Sequence, residues 1–116
     1  MENARLPVIA CNLDALSATE RVRRAALAQT LMPQAQSVQE LTDGYALQLS
    51  PTPALAHDSL EWLLLEHRCC PFLRLELELE PEEGSLWLRL RGGPGVKEFL
   101  SAAGLVAREP SSAACC

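Results

Sequence analysis

Two adjacent cysteines, Cys69 and Cys70, are the residues of this chain best suited to chemistry. They stand in the run Glu66-His67-Arg68-Cys69-Cys70-Pro71-Phe72, at the end of a helix-like apolar pattern. Pro71 cannot continue a helix, so the chain bends directly after Cys70. A bend lets neighbouring thiolates face one ion. Polarisable ions such as Hg(II), As(III) and Cu(I) prefer thiolate to carboxylate or water, and two or three sulfurs complete their shells. Zn(II) instead takes four ligands in a tetrahedron, commonly from separated C-x-x-C pairs. The sequence has no such spacing, which disfavours a zinc finger.

The chain holds five cysteines: Cys11 alone, Cys69-Cys70, and Cys115-Cys116 at its end. Bridging sequence neighbours closes almost no loop entropy, so a disulfide framework is not expected and reduced thiols are. Reduced cysteines clustered in pairs read as metal ligands or redox groups. Cys11, which ends the apolar run Leu6-Pro7-Val8-Ile9-Ala10-Cys11, is the expected third ligand. The competing reading is core filling, since a lone cysteine is often buried. Cys115 and Cys116 form an accessory pair on a tail, where tethering gives an effective concentration of about millimolar and lets an ion be captured and passed inward. The expected metal-ligand set is therefore Cys11, Cys69, Cys70, Cys115 and Cys116.

Glu66 lies three and four positions before the paired cysteines, one helical turn away, and with His67 is placed to tune or join the site. His67 reads as part of an apolar helix stripe, and His57 beside Asp58 as surface. No residue pair suggests a nucleophile with its base, so no catalytic residue is assigned. A helix C-terminus disfavours an anionic thiolate, and either Arg68 or a bound cation has to stabilise it. Metal-bound thiolate fits that setting better than a catalytic thiol.

The elements that must hold these residues are legible from pattern. The apolar run over 6–11 suits a first strand. Ser17-Ala18-Thr19-Glu20 has capping-box spacing and starts a helix over 18–31, with Val22, Ala26, Leu27 and Leu31 as its buried stripe and Pro33 as its stop. Strand-like runs over 37–41 and 45–49 flank Thr42-Asp43-Gly44, a hairpin signal in which Gly44 supplies positive φ. Thr52 and Pro53 open a second helix ending at Cys69 or Cys70, with Leu60, Leu63, Leu64 and His67 on its core face. Strict alternation then puts Leu73, Leu75, Leu77 and Leu79 on one strand face, and Leu86-Trp87-Leu88-Arg89-Leu90-Arg91 alternates again to complete a second hairpin. Glu76, Glu78 and Glu80 face Arg89 and Arg91 across it as solubilising pairs. Gly92-Gly93-Pro94-Gly95 leads to a short helix over 96–103, with Gly104 as its stop.

The order βαββαββα with short hairpins implies an α+β domain: an antiparallel sheet of two hairpins plus the N-terminal strand, with helices on one face. Expected boundaries are a flexible 1–5, a single domain over 6–107 and a flexible cysteine-terminated tail over 108–116.

Composition narrows the function. The chain has 116 residues, 48% hydrophobic and 22% charged, which excludes wholesale disorder. A formal charge of −5 argues against nucleic acid and anionic lipid as partners. No apolar run approaches the roughly 18–20 residues of a membrane span, and the start lacks the apolar stretch of a signal peptide. The expected location is the cytoplasm. The glycine turn lacks the lysine and hydroxyl of a P-loop and the spacing of a dinucleotide fingerprint, so no organic cofactor is expected.

Ala10-Cys11-Asn12-Leu13, Leu41-Thr42-Asp43-Gly44-Tyr45, Glu66-His67-Arg68-Cys69-Cys70-Pro71-Phe72 and Gly92-Gly93-Pro94-Gly95-Val96-Lys97-Glu98-Phe99-Leu100 resemble a group of small uncharacterised bacterial proteins built around an E-x-x-C-C-P-F motif. The similarity spans residues 8–100. The group is similar in cysteine usage to heavy-metal resistance proteins, and the resemblance singles out Cys11, Cys69 and Cys70. The terminal pair looks like that of arsenite metallochaperones, whose remaining sequence this chain does not match.

The expected function is non-catalytic binding or sequestration of a soft heavy-metal ion, Hg(II) or As(III), with Cu(I) as a further candidate. Its partners would be the ion, a second copy of the chain or a metal-handling protein. One alternative is a thiol-disulfide or peroxide-handling enzyme in which Cys70 attacks and Cys69 or Cys11 resolves. Another is a protein-interaction module whose cysteines are structural.

Overall fold

The computed structural model describes residues 9–103. Its first regular helix, α1 (Ala18–Leu31), starts at a complete capping box: the Ser17 hydroxyl accepts from the Glu20 N–H, and the Glu20 carboxylate accepts from the Ser17 N–H. These two bonds satisfy donors that a helix start otherwise leaves unpaired. A second helix, α2 (Pro53–Cys69), is capped by the Thr52 hydroxyl, which accepts from the Leu55 N–H, and has proline in its first turn. A third, α3 (Val96–Ala102), follows the glycine turn.

The strands are β1 (Ser37–Leu41), β2 (Gly44–Leu49), β3 (Arg74–Leu79) and β4 (Leu86–Arg91), all antiparallel in the order β1-β2-β4-β3. The two hairpins therefore pair through their second strands. This is the expected α+β arrangement. Register aligns Leu47 with Leu88 and Leu77, and Tyr45 with Leu90 and Leu75, on the face that meets the helices. The opposite face carries Ala46, Gln48, Trp87, Arg89, Glu76 and Glu78. There Glu78 bonds Arg89 at 2.7 Å and Glu76 bonds Arg91 at 3.2 Å, the charge pairing that alternation implies.

Four details differ from the sequence reading. The expected first strand is absent over residues 9–12, while 6–8 lie outside the described residues. Instead of joining the sheet, this segment runs past the end of α2, where the Asn12 N–H donates to the Cys69 carbonyl at 2.7 Å, and then enters a 3-10 turn, Leu13–Ala15. On α1 the buried line is Arg24, Leu27 and Leu31, while Val22 is 71% exposed and Ala26 is exposed. The helix is turned so that Arg24 meets a carboxylate on α2.

On α2, Leu60 and Leu64 are 47% and 56% exposed and His67 faces solvent. The inward face is Leu55, Ser59, Trp62, Leu63, Leu65, Glu66 and Cys69. That rotation buries the large indole of Trp62 and leaves two leucines outside. Finally, Gly44 does not take positive φ. A Cβ there would meet the Leu90 carbonyl oxygen of β4 at 1.9 Å, so glycine is required by close strand approach.

Among the described residues no helix is long and apolar enough to cross a membrane.

Candidate metal centre

The last turn of α2 assembles the site. Helical spacing puts Glu66 and Cys70 four residues apart on one face, with Cys69 beside them. Cys69 is the final helical residue and Cys70 the C-cap, whose backbone leaves the helix at φ −126° and ψ 72° while its N–H still donates to the Glu66 carbonyl. Pro71 makes that exit obligatory. Past it, the Leu73 N–H donates back to the Cys70 carbonyl at 3.1 Å, and the Phe72 ring meets Phe99 of α3 edge to face at 5.2 Å. The proline and phenylalanine of the motif thus fix the turn that holds Cys70.

The Sγ atoms of Cys69 and Cys70 lie 3.5 Å apart, and the Cys70 thiol donates to Glu66 Oε1 at 3.4 Å. The other oxygen of that carboxylate, Oε2, accepts from Arg24 Nε at 2.7 Å. One ligand atom from each of Glu66, Cys69 and Cys70 falls within 4.8 Å of the others. The cluster is dry: both cysteines are 0% exposed, Glu66 1% and Arg24 5%. A carboxylate so deeply buried needs a charged or hydrogen-bonding partner, and the Arg24 guanidinium supplies both.

Arg68, beside the cysteines in sequence, points outward. Its guanidinium bonds the Glu20 carboxylate at 2.7 Å and donates to the Ala15 carbonyl at 2.8 Å. Glu20 raises the pKa of Arg68 above its ordinary value, with a smaller push in the same direction from Cys69, and Arg68 in turn lowers that of Glu20. These contacts tie residues 12–20 across the cysteine end of α2.

Cys11 is half-buried against the core and held in a disulfide. This corrects the expectation that every thiol is reduced. The loop-entropy argument applied to neighbours in sequence, and Cys11 has none. In this state it offers no thiolate, and Glu66 stands as the third potential donor. Cys115 and Cys116 lie outside the described residues.

Arg24 is the residue that sequence reasoning missed. The only signal was its place in line with Leu27 and Leu31, which a charged side chain hides. Further along the same inward face, Ser59 Oγ and Trp62 Nε1 are buried and have no hydrogen-bond partner among the described residues. No protein-family model, no curated protein and no solved structure matches this chain.

Proposed function

We propose that this protein binds and sequesters a soft heavy-metal ion through Cys69 and Cys70, without turning over a substrate. The observation that carries the reading is the pair of thiols in van der Waals contact beside a buried carboxylate, all three within reach of one ion. Carboxylate alone would suit a hard ion, whereas two sulfurs shift the preference to Hg(II), As(III) or Cu(I). A site buried away from water penalises any complex with net charge. Two thiolates neutralise Hg(II), and with one hydroxyl they neutralise As(III).

The resemblance to bacterial E-x-x-C-C-P-F proteins points the same way. On this reading the protein works in a reducing cytoplasm, where Cys11 becomes available once its disulfide is reduced. Cys115 and Cys116 deliver the ion, and a second copy or a metal-handling protein receives it.

The test is native mass spectrometry of the reduced full-length chain titrated with Hg(II), arsenite, Cu(I) and Zn(II) against glutathione. One equivalent of a soft ion is expected to stay bound, and Cys69→Ser and Cys70→Ser are each expected to lose it. Unchanged retention in both variants overturns the proposal. The complete burial of both thiols favours a second reading, in which they only fill the core of an interaction module. It expects no ion to be retained and both thiols to resist alkylation in the native protein.

A further inference from the structure

We infer that the dithiol selects three-coordinate, pyramidal arsenic(III) over ions that bind two sulfurs in a line. This deepens the metal-binding reading and rests on it. With ion–sulfur bonds of about 2.3 Å, a linear S–ion–S unit needs sulfurs roughly 4.6 Å apart, while bonds meeting at about 100° bring them to about 3.5 Å. The Cys69 and Cys70 sulfurs are 3.5 Å apart. Hg(II) and Cu(I) with two thiolates favour the linear unit. Trivalent arsenic keeps a lone pair and holds its three bonds near the narrower angle.

Flexibility does not cancel this preference. Spreading the sulfurs by about an ångström drives them into an interior packed at crystal-like density. Both cysteines are fully buried. The backbone is fixed as well, by the Asn12 N–H on the Cys69 carbonyl and the Cys70 N–H on the Glu66 carbonyl.

The third arsenic position has a partner too. Arg24 engages Oε2 of Glu66, and Oε1 faces the thiols. An arsenic-bound hydroxyl there donates its proton in a hydrogen bond to Oε1. The step is ligand exchange without redox change. Arsenous acid, As(OH)₃, and two thiols give (Cys-S)₂As–OH and two waters, so two As–O bonds break, two As–S bonds form and both thiol protons leave in water. The product is neutral, as a buried site requires.

The experiment compares arsenite with Hg(II) on the reduced full-length chain, each in competition with glutathione, which has no fixed sulfur spacing. The ratio of protein-bound to glutathione-bound ion removes the intrinsic thiol affinity of each ion. We expect this advantage to be at least about tenfold larger for arsenite. X-ray absorption of the arsenic-loaded chain is expected to show two sulfur neighbours and one oxygen. An equal or larger advantage for Hg(II), or three sulfur neighbours on arsenic, overturns the inference while leaving soft-ion binding intact. Retention of neither ion overturns the metal-binding reading itself.

Discussion

Arg23 and Arg24 are neighbours on α1, and both reach across to a carboxylate on α2, yet their surroundings differ completely. Arg23 grips both oxygens of Glu61 at 2.7 and 2.8 Å in open solvent, with Asp58 at 4.0 Å. Arg24 donates through Nε to a single oxygen of Glu66 at 2.7 Å, with side chains 6% and 1% exposed. Substitution costs more at the buried pair, because water replaces a lost partner at the surface and cannot do so in the interior. The buried pair also has a second duty, since Glu66 reaches the Cys70 thiol with its other oxygen.

The largest expected effect follows from breaking the buried pair on one side. Arg24→Ala leaves the Glu66 carboxylate buried without the guanidinium, a change that costs about 3–5 kcal/mol. Urea unfolding followed by tryptophan fluorescence reads it directly, and a loss of the size usual for a surface substitution would show that water reaches Glu66. Removing both charges at once sharpens the point. The double variant Arg24→Met with Glu66→Leu keeps apolar bulk and removes both charges of the pair together, so its stability is expected to return to within about 2 kcal/mol of wild type. A double variant no more stable than Arg24→Ala would show instead that the pair organises the packing of α1 on α2.

The two arginines also show where sequence reading reaches its limit. Leu75, Leu77, Leu86, Leu88 and Leu90 could be placed correctly because a strand has a period of two and each leucine is apolar. The α1 start was equally clear, since Ser17 and Glu20 satisfy each other locally. Neither inference needs knowledge of another element. The rotation of α1 and α2 does. With Leu60, Leu63, Leu64 and Leu65 all apolar, α2 offers several competing faces, and the one chosen includes Ser59 and Glu66. Its choice depends on Arg24, 42 residues away in sequence. The paired cysteines could be identified from Pro71 and their own adjacency, and Glu66 from its helical spacing to them, but the Arg24 that holds Glu66 could not. Asn12 joins the segment after Cys11 to Cys69 by backbone atoms, which leave no trace in residue type.

Substitution at the surface pair should have a smaller consequence. Arg23→Ala is expected to shift the urea midpoint only slightly, and the shift should shrink further as salt screens exposed charges. A shift as large as that of Arg24→Ala, or one unaffected by salt, would remove the contrast on which the comparison rests.

The smallest effect is the pH dependence of that shift, and its sign can be worked out. The hydrogen bond from Arg23 is the main cause that lowers the Glu61 pKa below its ordinary 4.5, outweighing the opposing effect of desolvation. A carboxyl whose pKa is lower folded than unfolded binds fewer protons in the native state across that interval. Its contribution is therefore complete above pH 4.5 and is lost as the pH falls through the lower native value. Glu20 behaves alike, because Arg68 and the Ser17 N–H lower it in the same way. Comparing wild type with Arg23→Ala isolates the Glu61 part. Their urea midpoints should differ at neutral pH and converge on acidification below 4.5, since a protonated Glu61 has no charge to lose. A difference that persists unchanged into that acid range would mean that Arg23 stabilises α1 on α2 through the packing of its aliphatic stem rather than through its charge.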